Sequence, residues 1–350
     1  MLAMARLATV ATSCQLVSLL RGAAAIASER LILGTGHIHA PQPRAFSLWV
    51  PVCCCVAATE GCNFLDTANV YKEGWSEGVV GRFLKGRRDQ FILTTKVGAT
   101  LQGGGPGTSG VLRRARIVQS IEESLARLST EYIDLYLCHF PDNATPLDET
   151  LGAMDELVRQ GKVRFPGCSN FESWRLCESL QISEQKGLSS FVCDEVCYSL
   201  LDRRMEDELL PFAQRRRVSV TVFAVTAIGL LSGRCRYGQP PPEGTSWHRG
   251  PYNFHKAMTP RTGRVIDTVV DIAERRGKTP TQVAMAWCLQ VPGITSVIIG
   301  ADTPQRIEEN FGAIGWTLSD EERKRLDEVT EGQRLMIHKD APQGYQPAES

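Results

Sequence analysis

From residue 63 almost to its end, the chain alternates short apolar segments with amphipathic stretches, and this alternation restricts its fold more than any other feature. The apolar segments have the length of strands, and apolar residues recur at helical intervals between them. We predict seven strands, at residues 63–67, 91–96, 133–138, 163–168, 190–195, 218–224 and 296–299. Strands and helices that alternate at this spacing form parallel βαβ units.

An eighth strand is predicted near the start of the chain. Residues 31–33 are apolar, and with them the chain has the eight strands of a (β/α)8 barrel, the TIM barrel. The helix expected after this strand is disturbed by three prolines and by a run of cysteines at 53–55, and proline breaks helices. We therefore predict a barrel domain over residues 31–332 with an atypical first βα unit.

The two ends of the chain lack the barrel pattern. The first 28 residues contain Arg6 and Arg21, no acidic residue and a moderately apolar run, which is typical of an organellar presequence or a weak signal peptide. A disordered leader or an incorrect gene model are the alternatives. We treat residues 1–30 as a leader and residues 333–350 as a loose polar tail, and we expect a cytoplasmic protein, or an organellar one if the leader directs import.

Composition excludes several classes of protein. Lys plus Arg equals Asp plus Glu at 39 each, so the chain has no electrostatic footprint for nucleic acid. No apolar run reaches the ~20 residues that span a bilayer. The 12 cysteines include no Cys-x-x-Cys pair, so we expect reduced thiols and no metal site. A small molecule is the expected partner, and the sequence specifies no oligomeric state.

Four ionisable side chains lie at or just beyond the ends of three successive predicted strands: Asp66, Tyr71, Lys96 and His139. Parallel neighbouring strands would bring them to the rim where such barrels have their active sites. A free tyrosine has a pKa of about 10, and a lysine cation beside Tyr71 would lower it by favouring the phenolate. Asp66 could hold that cation, and His139 could orient a carbonyl oxygen. The alternative is structural: Asp66 caps a turn, Lys96 is solvated and His139 only ends a strand.

The segments around these four residues resemble the catalytic signature of the aldo-keto reductases. They read Asp66-Thr-Ala with Tyr71, Thr95-Lys96-Val97-Gly98, and Leu137-Cys-His139-Phe-Pro-Asp142, and the resemblance extends from about Gly61 to Gly332. Members of that family are (β/α)8 barrels that reduce aldehydes and ketones with NADPH and without a metal. The resemblance implies that Tyr71 is the general acid, that Lys96 and Asp66 tune it, and that His139 positions the carbonyl.

The resemblance also implies a nicotinamide site. Ser169 and Asn170 match the residues that hold the carboxamide in the family. Their usual partner is a glutamine, where this chain has Glu195, and an ionised Glu195 could accept a hydrogen bond but not donate one. Phe223 stands where the family has a tyrosine that stacks on the nicotinamide, and Ala224 departs from the usual serine after it.

Further residues match the family's segments for the rest of the cofactor. Arg234, in a Gly-rich loop, resembles the contact to the pyrophosphate, and Arg306, Glu309 and Asn310 resemble the segment at the adenosine end. Arg306 lies in the predicted first turn of a helix, where the backbone amides also favour an anion.

Two residues give opposite indications about the cofactor. Arg306 could bind the 2′-phosphate of NADP in a charge-assisted contact. Asp302 would repel that phosphate and could accept a bond from the 2′-hydroxyl of NAD. We expect NADPH, with NAD as the alternative. Residues 105–110 match G-x-G-x-x-G by letter, but they do not directly follow a strand, so we interpret them as a substrate loop.

The sequence thus predicts NADPH-dependent reduction of aldehydes or ketones to alcohols, and the resemblance favours aldehydes, including aromatic ones. One alternative is a nicotinamide-binding regulatory protein, like the β subunits of voltage-gated potassium channels, which share this fold. The other is a catalytically weak or dead paralogue, because Glu195, Ala224 and Asp302 depart from the family pattern.

Overall fold

A computed structural model describes residues 31–35, 53–99, 110–249, 252–300 and 303–332. The predicted leader and tail lie outside the described residues. So do most of the Gly-rich loop, at 100–109, and Asp302.

Eight parallel strands close into one barrel, so the predicted (β/α)8 architecture is confirmed. Each strand pairs with the next along the chain, and β1 pairs with both β2 and β8; Leu33, for example, lies opposite Leu65 on one side and Ile299 on the other. The strands are β1 Leu31–Gly34, β2 Phe64–Asp66, β3 Ile92–Val97, β4 Ile133–Cys138, β5 Val163–Ser169, β6 Cys193–Cys197, β7 Ser219–Phe223 and β8 Ile294–Ile299.

Helices cover the outside of the barrel between the strands. Residues 53–59 are helical. The helices after them are Trp75–Leu84, Arg114–Leu128, Leu147–Arg159, Ser173–Lys186, Leu209–Arg216, Ser246–Arg249, Phe254–Ala257, Pro260–Arg276, Pro280–Leu289, Pro304–Phe311 and Asp320–Thr330. No helix in the described part of the chain is long and apolar enough to cross a membrane.

The ends of several predicted strands differ from the structure, and β6 differs most. The sixth strand was predicted at 190–195, but it runs from Cys193 to Cys197. Charged residues commonly end a strand, whereas here Asp194 and Glu195 are buried inside it. Thr145 does not cap the helix that follows it: its hydroxyl donates to Asp142, and Pro146 precedes the helix without a side-chain cap.

Other helix starts follow the sequence. Thr279 and Ser319 each form a capping box, in which the cap hydroxyl accepts from the backbone three residues on and a Gln or Glu side chain accepts from the cap N–H. Thr303 caps the helix Pro304–Phe311, so Arg306 lies in its first turn as predicted.

The first βα unit is more regular than its sequence indicates. Leu31 and Leu33 pack outward against the helices, and Ile32 packs inside the barrel, as strand alternation requires. The run of cysteines begins the helix at 53–59 and does not interrupt it; Cys53 and Cys54 are fully buried there, as small hydrophobic residues. The prolines of this unit lie outside the described residues.

The barrel interior has an apolar layer formed by alternate residues of the strands. Its members come from β1 to β4 and β8 and from the residues at the start of β6: Ile32, Phe64, Ile92, Leu135, Leu137, Val192, Cys193 and Ile298. Phe165 of β5 and Phe223 of β7 are partly buried and pack against them. Because the alternation continues along each strand, the next inward positions towards the C-terminal ends are occupied by the polar residues described below.

We predict that β1 is indispensable although it has only four residues. A chain that begins at Glu60 would lack β1, which would leave the facing edges of β2 and β8 unpaired, so it should aggregate or fail to fold. A chain that begins at Glu29 is the matched control and should give soluble protein with the full-length melting temperature. Equal melting temperatures for both truncated chains, measured by circular dichroism, would contradict the pairing of β1.

Candidate active site

Five polar side chains point inward from five neighbouring strands at the C-terminal end of the barrel. They are Asp66 at the end of β2, Lys96 in β3, His139 just after β4, Ser169 at the end of β5 and Glu195 in β6. All five are buried, with Lys96 0 % exposed. Each lies an even number of residues beyond an inward apolar residue of its own strand, so the pleat of the strands directs them to one centre.

Lys96 is at the middle of this group. Its Nζ lies 2.6 Å from Asp66 Oδ1, 3.1 Å from the carbonyl oxygen of Thr67, and 3.3 Å from Glu195 Oε1. Burial lowers the pKa of Lys96, but its interactions with Asp66 and Glu195 outweigh burial and raise the pKa above its usual value. The lysine is therefore a buried cation, with two carboxyl groups to balance it.

The two carboxyl groups share that one cation. Burial raises the pKa of Asp66, and the contact with Lys96 opposes this. Burial and the nearby charge of Asp66 raise the pKa of Glu195 to about 8, although Lys96 opposes them. Because Asp66 makes the shorter contact, we assign the negative charge at neutral pH to Asp66 and a protonated carboxyl group to Glu195.

Tyr71 lies beside this ion pair. Its ring centroid is 5.3 Å from Lys96 Nζ and 5.8 Å from the ring centroid of His139, with the two rings edge to face. Burial raises the pKa of Tyr71; Lys96 lowers it, and Asp66 and Glu195 raise it further. Lys96 thus lowers the pKa of Tyr71 as predicted, but burial and the two carboxyl groups raise that pKa by more. Tyr71 is therefore a neutral phenol that can donate a proton.

The backbone and neighbouring side chains fix His139. Its backbone N–H donates to the carbonyl oxygen of Val97 at 2.7 Å, and its ring stacks on Phe140 at 4.7 Å between centroids. Its own carbonyl oxygen accepts from Asn170 Nδ2 at 3.2 Å. The backbone of His139 is therefore held between β3 and the loop after β5, and its imidazole packs between Phe140 and Tyr71.

The two residues predicted to hold a carboxamide lie next to this group. Ser169 Oγ donates to the carbonyl oxygen of Glu195 at 2.8 Å, and Asn170 Nδ2 donates to Ser169 Oγ at 3.0 Å. Asn170 has a φ of 60°. Asparagine tolerates this left-handed conformation better than most residues. The structure therefore brings Ser169, Asn170, Glu195 and His139 into one hydrogen-bonded corner of the rim.

The loop after β7 is strained. Phe223 ends β7, half-buried against the apolar layer inside the barrel. Beyond it Ala224, Ala227 and Ile228 have φ values of 52–56°, and Gly229 follows with 88°. A positive φ is costly for a β-branched residue such as Ile228, and such strain is concentrated at binding and catalytic loops.

The residues predicted to hold the rest of a dinucleotide follow β7 and β8, on the same face of the barrel. Arg234 is exposed, and its Nη2 donates to the carbonyl oxygen of Glu243 at 3.3 Å. Arg306 is exposed in the first turn of Pro304–Phe311. On the same helix Glu309 accepts at its carbonyl oxygen from Gln282 Nε2 at 2.7 Å, and Asn310 is buried.

Asp142, for which no separate role was predicted, anchors the loop beyond β4. Its carboxylate accepts from the N–H groups of Gly110, Leu112 and Ala144 and from the hydroxyl of Thr145. Although burial acts in the opposite direction, these hydrogen bonds lower its pKa. In the sequence, the position of Asp142 three residues after His139 was the feature that could have indicated this role.

The contact between Lys96 and Glu195 was also missed, because Glu195 was considered only as a cofactor contact. The alternation of inward and outward residues along β6 could have predicted this contact, because it directs Glu195 into the barrel like Lys96 in β3. Within the described ranges no cluster of three or more His, Cys, Asp or Glu side chains is arranged to hold a metal ion.

Known proteins resemble this chain over most of its length. A family model described as "Aldo/keto reductase family" matches residues 30–331. Aldo-keto reductase YhdN of Bacillus subtilis (strain 168) is 32 % identical over 278 residues, which cover 79 % of this chain and 81 % of that protein. The resemblance inferred from the catalytic segments is thereby confirmed.

We predict that the two carboxyl groups can replace each other as the partner of Lys96. In Asp66→Asn, Glu195 should ionise and retain the cation, so the loss of stability should be moderate. In the double variant Asp66→Asn/Glu195→Gln, a buried cation without a carboxylate should cost about 3–5 kcal/mol. Urea unfolding at neutral pH measures these losses, with Glu195→Gln alone as the control. Losses of the single variants that simply add up to that of the double variant would contradict the shared cation.

Proposed function

We propose that this chain, which belongs to the aldo/keto reductase family, reduces aldehydes and ketones to alcohols with NADPH. Tyr71 is the general acid in this proposal. The family places the chain among oxidoreductases that act on small-molecule carbonyls. One observation carries the finer proposal: the phenol of Tyr71 lies between a buried ammonium group, 5.3 Å from its ring centroid, and the imidazole of His139, 5.8 Å away.

Each residue of this group has a separate role in the proposal. The neutral phenol of Tyr71 donates the proton that the carbonyl oxygen requires as it becomes an alcohol. The cation of Lys96 stabilises the phenolate left behind, and Asp66 keeps Lys96 charged and in place. His139, fixed by its backbone and by Phe140, orients the carbonyl oxygen.

The residues of the rim fit a nicotinamide. A carboxamide has one acceptor and one donor group, and Ser169, Asn170 and a protonated Glu195 offer both kinds of partner. The half-buried ring of Phe223 offers an aromatic face beside them. The bound nicotinamide supplies the hydride, so the chain itself has only to orient the carbonyl group and to provide the proton.

The proposed site for the remainder of the cofactor rests on charge and on strain. The strained loop at 224–229 and the exposed Arg234 suit a pyrophosphate, and Arg306 on its helix N-terminus suits the 2′-phosphate of NADP. Glu309 and Asn310, one turn farther along the same helix, are assigned to the adenosine end. NADPH is therefore the proposed cofactor, with NADH as the weaker alternative.

Aldehydes, including aromatic ones, are the proposed substrates, and the cytoplasm is the proposed compartment. The competing proposal is a regulatory or catalytically weak nicotinamide-binding protein, and the raised pKa of Tyr71 gives it some support. Loss of NADPH absorbance over a panel of aliphatic and aromatic aldehydes separates the two, because NADPH binding without turnover would favour the regulatory protein.

We predict that Tyr71→Phe removes the proton donor while the cofactor site stays intact. Acid–base groups contribute about 10² to 10⁴ in rate, so kcat on an aldehyde should fall by at least that range. NADPH binding, measured by fluorescence, should be unchanged. Tyr132→Phe is the matched control, because Tyr132 precedes β4 at the opposite end of the barrel. Near wild-type kcat in Tyr71→Phe would show that another group is the acid.

We predict that Arg306→Ala raises KM for NADPH about tenfold or more, since a hydrogen bond to a charged group contributes about 1.5–3 kcal/mol. KM for NADH should hardly change. Lys324→Ala, which removes an exposed cation from the next helix, is the control. A wild-type enzyme that prefers NADH, and whose preference Arg306→Ala leaves unaltered, would contradict the proposed 2′-phosphate contact.

A further inference from the structure

The ammonium group of Lys96 has fewer N–H groups than it has neighbouring acceptors. It carries three N–H groups. Asp66 and the carbonyl oxygen of Thr67 accept two of them, at 2.6 and 3.1 Å. One N–H remains, and two groups compete for it: Glu195 Oε1, at 3.3 Å, and the hydroxyl of Tyr71, which contacts the Lys96 side chain.

The charges decide this competition. With Asp66 and Lys96 both ionised the buried group is neutral, and an ionised Glu195 would leave it with an uncompensated negative charge, which burial penalises. Glu195 is 5 % exposed, so solvent screens that charge little. Its strand neighbours across the sheet, Ser169 on β5 and Thr221 on β7, carry no charge. The titratable groups that act on it or respond to it are Asp66 at the end of β2, Tyr71 in the loop after β2, Lys96 in β3, and Cys193 and Asp194 in its own strand.

We propose that Glu195 is a positioning residue whose protonation state decides which group receives the third N–H of Lys96. As a neutral carboxylic acid it leaves that N–H for Tyr71, and as a carboxylate it takes it. The inference rests on the proposed function, because it takes Tyr71 as the acid. Reduction therefore declines as Glu195 ionises, since Tyr71 then loses the cation that stabilises its phenolate.

The same protonation state affects the nicotinamide pocket. A neutral carboxyl group has one O–H donor and a carbonyl acceptor, which are the two functions of a glutamine amide. Its carboxylate only accepts. Glu195 thus serves a carboxamide in its neutral form and loses the donor when it ionises, so NADPH binding weakens together with reduction.

The environment of Glu195 raises its pKa, so that the carboxyl group ionises within the pH range of ordinary assay buffers. Burial first, and then the charge of Asp66, raise the pKa of Glu195 from 4.5 to about 8. A carboxyl group with a raised pKa contributes stability while it is protonated, and this contribution is lost as the pH rises through that raised value. The loss extends from the unfolded value near 4.5 up to about 8.

The first experiment needs neither cofactor nor substrate. Melting temperatures of the wild-type protein and of Glu195→Gln are measured from pH 5 to pH 9. The variant keeps the shape of the side chain but cannot ionise, so its advantage over wild type should grow by at least about 2 °C across this range. A difference that stays constant with pH would overturn the proposal. If Glu195→Gln does not fold, the wild-type curve is compared with that of Asp194→Asn, because burial raises the pKa of the neighbouring Asp194 to about 8 as well. A pH-dependent loss of stability that Asp194→Asn abolishes would overturn the proposal.

The second experiment connects Glu195 to the chemistry. Wild-type kcat/KM for an aldehyde should fall at least about tenfold between pH 7 and pH 10, whereas Glu195→Gln should retain its activity over that interval. Coincident pH profiles of the two proteins would overturn the role of Glu195 towards Tyr71.

A third measurement separates the role of Glu195 from the proposed function. It monitors NADPH binding by tryptophan fluorescence in the absence of any carbonyl compound. A protein with no turnover on any carbonyl compound would contradict the proposed function. Wild-type binding that weakens above pH 8 while that of Glu195→Gln does not would then still support the protonation change. Identical binding curves for the two proteins would overturn it.

Discussion

A lysine ammonium group with no exposed surface needs an anionic partner, and Lys96 has Asp66 at 2.6 Å. Neither residue could be buried alone, because an isolated charge in the barrel interior would neutralise itself or unfold the protein. Burial of the pair places a fixed cation at the rim beside Tyr71. The acid–base chemistry that we propose therefore depends on an ion pair that the fold must protect from water.

The barrel supplies that protection through the alternation of its strands. An apolar layer fills the interior, and the next inward positions towards the C-terminal ends carry the polar group. Phe64 precedes Asp66 by two residues in β2, and Leu137 precedes His139 by two at the end of β4. The same pleat that packs the interior thus aims the functional side chains, and a slip of one residue in register would turn Asp66 and Lys96 towards the helices.

Most of this arrangement is predictable from the sequence because the signals are local. Strand ends, helix caps and the order of apolar and polar residues are properties of short segments, and they predicted the barrel and the convergence of Asp66, Tyr71, Lys96 and His139. The start of β6 and the helix at 53–59 were missed because burial, and not composition, decides them: the carboxyl groups of β6 are inside the sheet, and the cysteines pack as hydrophobic residues. The charges of Asp66, Lys96 and Glu195 depend on the distances between side chains on three different strands. No short segment of the sequence contains those distances.

The backbone gives independent support for the location of the functional face. Among the described residues eight non-glycine residues have positive φ. Two of them, Ser129 and Arg217, simply end helices. The other six lie in the loops that follow β2, β5 and β7, all at the C-terminal end of the barrel: Lys72, Glu73, Asn170, Ala224, Ala227 and Ile228. Strained conformations persist only where the surrounding structure imposes them. Their concentration around one rim places the backbone strain where we propose that the cofactor binds.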